Sequence, residues 1–248
     1  MQHSRSGWVA WLAALSALSG VALLALAGPG YRTGWFDLGT ALQRMLTWAA
    51  YAGVAALGLG VVAAILNARR NASRTVALAG FAVVLGAIAV GVPWRWQQSA
   101  QAVPRIHDIS TDTITPPHFV EAAALRRQLE VPNDLEYSEE VAALQRAGYP
   151  DLGPAFLAAP PAEVYRQALE LVRARGWEVL AADEAGRRIE ATDTTFWFGF
   201  KDDIAVRVTA MPDGGSRVDV RSVSRVGRSD IGTNARRIRE LLAGFGKS

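Results

Sequence analysis

Three stretches of this chain contain no charged residue: Gly7 to Gly30, Met45 to Asn67, and Thr75 to Trp94. After Trp94 the pattern inverts, and nearly all of the Lys, Arg, Asp and Glu follow it. A hydrocarbon layer about 30 Å thick is crossed by about 20 apolar residues of helix, each rising about 1.5 Å. Each run meets that length. Lipid offers the backbone no water, so such runs are held as helices that satisfy their own N–H and C=O groups. Trp8, Trp11, Trp48, Tyr51 and Trp94 fall near the run ends, where amphipathic rings prefer the headgroup region. The expected organisation is a three-span membrane α-helical anchor over 1–96, an extended connector over 97–119, and an extracytoplasmic α+β domain over 120–248.

Orientation follows from the loops. Asn67-Ala68-Arg69-Arg70-Asn71-Ala72-Ser73-Arg74 carries three arginines and no acid, and the N-terminal tail adds Arg5 and the free amine. The other side offers Arg32 and Arg44, then Arg95 and Arg105 beyond the third run. Short basic loops stay in the cytoplasm. The N-terminus and second loop are therefore expected inside a bacterial inner membrane, with the C-terminal domain in the periplasm of the cell envelope. Arg5, an apolar core and Ala25-Leu26-Ala27 resemble a signal peptide. The core is longer than a usual signal sequence, so retention as an anchor is expected, and cleavage would leave the domain on the same side. The absence of cysteine fits a periplasmic domain without disulfides.

No charged residue marks an ion or proton path through the spans, which disfavours transport by this chain alone. Ala49 with Gly53, and Ala56 with Gly60, place small residues four apart, a spacing suited to close helix packing. The net charge of +3 is misleading for the domain. Arg5, Arg32, Arg44, Arg69, Arg70 and Arg74 precede Trp94 with only Asp37 opposing them, so the remainder is near neutral and slightly acidic. That balance excludes a basic nucleic-acid-binding surface.

The connector is interrupted by Pro104, Pro116 and Pro117, and its core Ile106-His107-Asp108-Ile109-Ser110-Thr111-Asp112-Thr113 is dense in donors and acceptors. It supplies only His107 and His118, with no paired-histidine helical spacing, so no metal or cofactor is expected. Adjacent Ser, His and Asp on one extended strand cannot converge as a triad. A strap hydrogen-bonded onto the domain is the expected role.

Ser138-Glu139-Glu140 opens a helix, and Gly148-Tyr149-Pro150-Asp151 stops it. A second helix begins at Pro161 and Glu163, with Tyr165, Ala168, Leu169 and Val172 as its apolar stripe, and ends at Gly176. Strand patterns cover Trp177 to Ala182, Arg187 to Thr192, Ile204 to Ala210 and Arg217 to Val223. A last helix runs from about Ile231 to Phe245, with Ala235, Ile238, Leu241, Leu242 and Phe245 inward. These elements predict a two-layer α+β sandwich whose four-stranded antiparallel sheet has one face under helices and the other polar.

A three-residue turn at Asp213-Gly214-Gly215 pairs Val208 with Val220 and Ala210 with Val218. That register sets Arg207 against Arg221 and Asp203 against Arg225. Like charges directly opposite are destabilising, so compensation is required, from Asp219, Glu190 or Asp193 or from a bound anion held by two guanidiniums. Arg228 precedes the last helix, with Ser229 or Asp230 as its N-cap. The candidate anion- or partner-binding residues are therefore Arg207, Arg221, Arg225 and Arg228, supported by Asp193, Asp202, Asp203, Asp219 and Asp230. Asp202 and Asp203 point to opposite faces of an extended segment and cannot act as a carboxylate dyad.

The stretches Asn133-Asp134-Leu135-Glu136-Tyr137, Ala147-Gly148-Tyr149-Pro150-Asp151, Glu190-Ala191-Thr192-Asp193-Thr194 and Phe200-Lys201-Asp202-Asp203 resemble the family called domain of unknown function 1499. So do Val218-Asp219-Val220-Arg221-Ser222-Val223-Ser224-Arg225-Val226-Gly227 and Ser229-Asp230-Ile231-Gly232-Thr233-Asn234-Ala235-Arg236-Arg237-Ile238. The resemblance runs from about Ile106 to Phe245. It implies one continuous domain and an envelope or plastid setting, and carries over no activity, cofactor or catalytic residue. The leading expectation is an envelope module that binds a partner protein or an anionic lipid or small molecule on its arginine face. The alternatives are an envelope hydrolase using Asp193, Asp202 or His107, and a structural subunit whose glycine-bearing spans make the contacts.

Overall fold

The computed structural model describes residues 7–68 and 72–247. They form two compact units. The first comprises the helical region up to Ser99 together with Trp197–Gly199, and the second comprises the remainder.

Three helices build the first unit. They are α1 (Gly7–Arg32), α2 (Leu46–Ala68, entered through a π-helical turn at Thr40–Met45) and α3 (Ser73–Gln101). Each is long and apolar enough to cross a membrane. Small residues face inward: Ala13 and Ala17 of α1, Gly53, Ala56 and Gly60 of α2, and Ala82 and Gly86 of α3 are all buried. Large ones such as Leu15, Val54, Ile65 and Val84 point outward. The reason is close approach, because a Cβ added at Gly53 would lie 2.8 Å from the Gly86 carbonyl oxygen. Of the arginines that set the expected orientation, Arg5, Arg69 and Arg70 lie outside the described residues.

The second unit runs β1 (Asp108–Ser110), α4 (Glu121–Gln128), α5 (Glu139–Gly148), β2 (Ala155–Leu157), α6 (Pro161–Ala174), β3 (Glu178–Asp183), β4 (Arg188–Thr194), β5 (Lys201–Ala210), β6 (Ser216–Ser224) and α7 (Thr233–Leu242). Ser138 caps α5 by accepting from the Val141 N–H. The strands form one antiparallel sheet in the order β1-β6-β5-β4-β3, and β2 also pairs with β6. The expected four strands are thus six, because Asp108–Ser110 and Ala155–Leu157 share the outer edge of β6, one toward each end. Both are three-residue strands, too short to show an alternating pattern in sequence.

The hairpin register also departs from expectation. Val208 pairs with Val218 and Ala210 with Ser216, leaving Met211 to Gly215 in the turn. A shift of two residues keeps every side chain on its expected face, so apolar matching along the strand could not tell the two registers apart. Arg207 consequently faces Asp219 rather than Arg221, and Asp203 faces Val223 rather than Arg225.

Ile204, Val206 and Val208 of β5 and Val218 and Val220 of β6 pack against Val164, Ala168 and Val172 of α6 and Ile238 and Leu241 of α7. The opposite face is expected to be polar. It carries the charged residues, but most are buried beneath α4 and the chain around it, with Phe119, Ala122 and Leu135 packed on Ala205 and Val223.

Candidate functional site

Strand alternation sends Arg217, Asp219, Arg221 and Val223 of β6, and Arg225 just beyond its end, to that second face, beside Asp203 and Arg207 of β5. Charge burial there is compensated in three groups. In the first, Asp203 is fully buried and accepts a fork from Arg225, with Nη2–Oδ1 at 2.7 Å and Nε–Oδ2 at 3.0 Å. Arg126 of α4 adds a third contact, Nε–Oδ2 at 2.6 Å, and Thr192 donates to Oδ1 at 2.8 Å. Burial alone would raise the Asp203 pKa, but the hydrogen bonds from Arg225 and Arg126 overcome it and hold the carboxyl below its usual range. Arg126 also donates to the carbonyls of Asn133 and Val223, tying α4 and the chain after it to the sheet.

In the second group, Arg221 grips Asp108 of β1 through Nε–Oδ1 at 3.0 Å and Nη2–Oδ2 at 2.6 Å. Its remaining donors reach the carbonyls of Pro117 and Leu135. The guanidinium lies 5.3 Å from the Phe119 ring centroid and 5.5 Å from that of Tyr137, within cation–π range. Burial, reinforced by the Asp108 carboxylate, pushes the Tyr137 phenol upward.

The third group is more open. Asp112 and Asp219 alternate with Arg207 and Arg217, whose Nη2 atoms each bond both carboxylates at 2.9 to 3.0 Å. Asp112 also accepts the N–H groups of Ile114 and Thr115. Burial tends to raise the Asp112 pKa, but those N–H donors and the Thr115 hydroxyl hold it below the ordinary value. The Arg207 and Arg217 side chains remain 28% and 35% exposed. Phe156 lies directly opposite Arg217 across the β2–β6 pair and is 63% exposed, while Ile114 is 89% exposed.

Two further clusters complete the charge pattern. Glu190 is fully buried and accepts the N–H groups of Val120 and Ala122, both at 2.8 Å, so a sheet carboxylate caps the start of α4. On the helix-covered face, Arg237 of α7 holds Asp193 and Asp202, each at 2.7 Å from Nη2, and bonds Ser222 and Asn234 through Nη1. Asp230 accepts from the N–H groups of Gly232 and Asn234 at the start of α7, and burial raises its pKa despite those donors.

Of the residues singled out in sequence, Arg207, Arg221, Arg225, Asp203 and Asp219 share the second face. Asp193 and Asp202 meet under α7 on the other. Arg228 is exposed on the loop before α7. Like-charge pairs do occur opposite one another, but between β4 and β5: Arg188 with Arg207, and Asp193 with Asp202. The second is bridged by Arg237. Arg126, Asp108, Asp112, Arg217 and Arg237 were not anticipated as partners. Arg217 had a readable signal, since it shares the parity of Arg221 and Arg225. For the others only tertiary contact reveals the pairing. Among the described residues no group of three or more His, Asp or Glu is placed to hold a metal ion.

No curated protein matches the chain. A family model, "Protein of unknown function (DUF1499)", matches residues 108–245, which takes in the whole sheet and α7. The chain belongs to that family, and its matched region is preceded by three helices apolar and long enough to span a membrane.

Proposed function

We propose that this protein is a membrane-anchored binding module that docks an envelope protein partner through its Arg207–Arg217 edge. In this reading the three apolar helices cross a bacterial inner membrane and the domain stands on the periplasmic side. The observation that carries it is the contrast among the arginines. Arg221 and Arg225 are buried on carboxylates, whereas Arg207 and Arg217 stay part-exposed beside the exposed side chains of Phe156 and Ile114. Aromatic and arginine side chains together are the composition of interface anchors. An anion bound at Arg221 or Arg225 would have to displace a forked carboxylate, so binding is proposed at the open group. A hydrolase based on His107, Asp193 or Asp202 has less support, because both carboxylates are drawn onto Arg237.

The test is a photo-crosslinking amino acid placed at Ile114 in cells, with adducts identified by mass. A discrete adduct that disappears with Arg207→Ala/Arg217→Ala, while β5 and β6 keep their hydrogen-exchange protection, supports the reading. An Ile114 position without adducts, or a double variant that only unfolds, moves these arginines to a purely structural role.

A further inference from the structure

The chain between β4 and β5 reads Thr195-Phe196-Trp197-Phe198-Gly199-Phe200, with four aromatics in six residues at the tip of a hairpin. The tip is tightly closed. Thr195 N–H donates to the Phe200 carbonyl at 2.8 Å, and Phe200 N–H returns a bond to the Thr195 hydroxyl at 2.9 Å. Gly199 supplies the left-handed conformation, φ +67°, that lets the chain turn back. This closure displays Phe196 at 86% and Trp197 at 44% exposure. A rigid projection of large aromatic surface into water is unfavourable, and it is a common mark of a site that meets lipid or protein.

The surroundings select lipid. Trp197–Gly199 belong to the same compact unit as the three apolar helices. Within that unit Phe198 packs on the cluster of Ala27, Met45 and Leu46, where α1 ends and α2 begins, and its ring lies 6.5 Å from that of Tyr31. Trp35, Trp48 and Tyr51, all well exposed, occur around the same α1–α2 connection, and Trp94 and Trp96 occur near the C-terminal end of α3. Tryptophan and tyrosine at span ends form the belts that sit at headgroup level, where an amphipathic ring is better placed than in water or in hydrocarbon.

We propose that the Phe196–Gly199 hairpin tip enters the interfacial layer of the bilayer as an aromatic anchor. The proposal rests on the reading that the three helices cross the membrane. Phe196 and Trp197 would contribute buried apolar area at the headgroup boundary, as the apolar faces of interfacial segments do.

The chain contains no cysteine, so single labels can be placed cleanly. Full-length protein carrying Phe196→Cys, Ile114→Cys or Val54→Cys is labelled with an environment-sensitive fluorophore and reconstituted into phosphatidylcholine–phosphatidylglycerol vesicles. Quenching is read with aqueous iodide and with lipids bearing a nitroxide at the headgroup or mid-chain. The expected result at position 196 is blue-shifted emission, strong quenching by the headgroup nitroxide and several-fold weaker iodide quenching than at position 114. Iodide access equal to that at position 114 overturns the proposal. So does shielding from both quenchers, which would place the tip against protein. Val54, exposed in the middle of α2, separates the two readings. Mid-chain quenching there with an iodide-accessible tip rejects only the aromatic anchor, and its absence rejects the membrane crossing and the anchor together.

Discussion

Asp203 and Ile204 are neighbours in β5, both fully buried, on opposite faces of one sheet. Ile204 meets α6 and α7 in a core of valine, isoleucine and leucine. Asp203 meets two guanidiniums and a threonine hydroxyl. The two faces exclude water by different physics. Apolar burial stabilises in rough proportion to area and is indifferent to direction, so an α-helix with the right stripe serves as a cover. Buried charges gain little net stability over apolar replacements, but leaving one unpaired is costly, so only a cover with its partners in the right places is tolerated. The second cover is an irregular strap that runs on from the edge strand β1 through α4, with a small apolar cluster that does not by itself choose its position. Arg126, Asp108 and Asp112 give it one.

The largest effect is expected from Asp203→Ala, which leaves Arg126 and Arg225 buried together without a carboxylate. A loss of about 3–5 kcal/mol is expected, read as reduced hydrogen-exchange protection of β5 and β6 in the detergent-solubilised full chain. Converting the trio to well-packed apolar residues of similar volume should recover most of it. If Asp203→Ala costs no more than a trimmed methyl group, the two faces do not differ as argued.

Acid should also distinguish them. The folded pKa of Asp203 lies below its ordinary value, so its contribution is fully present at neutral pH. It is lost as pH falls through the ordinary carboxylate range, near 3.9, toward the lower folded value. Asp112 acts in the same sense. Protection of the strap, residues 108–137, should fall on acidification in the wild type, and the fall should be shallower in Asp203→Asn. An identical profile in the two proteins would remove Asp203 from the account.

Smaller effects calibrate the rest. Ile204→Val removes one methylene from the apolar face and should cost about 0.5–1.5 kcal/mol, without pH dependence. Arg217→Ala, in the part-exposed group, should cost about 0.2–1 kcal/mol, because solvent screens that pair. A much larger loss would mean that the open edge is as structural as the buried groups, and would weaken the docking proposal.

Some of this was readable in the chain. Three uncharged runs meet a length set by bilayer thickness, so α1 to α3 followed from composition alone. The stripes of α6 and α7 and the alternation of β4, β5 and β6 were legible because each carries one apolar face over many residues, and periodicity reports that directly. The family motifs added that one domain runs continuously to Phe245. The short edge strands β1 and β2 left no such record, since three residues carry no period. The register of β5 on β6 was also beyond reach, because a slip of two keeps valine against valine and arginine on its face. Only the tertiary structure decided that Arg207 meets Asp219, and that Arg126, at a sequence separation of 77, completes Asp203. Periodicity determines which side of an element is apolar. The choice of which charge meets which is made by the folded chain, since ion pairing is a matter of ångströms between residues far apart in sequence.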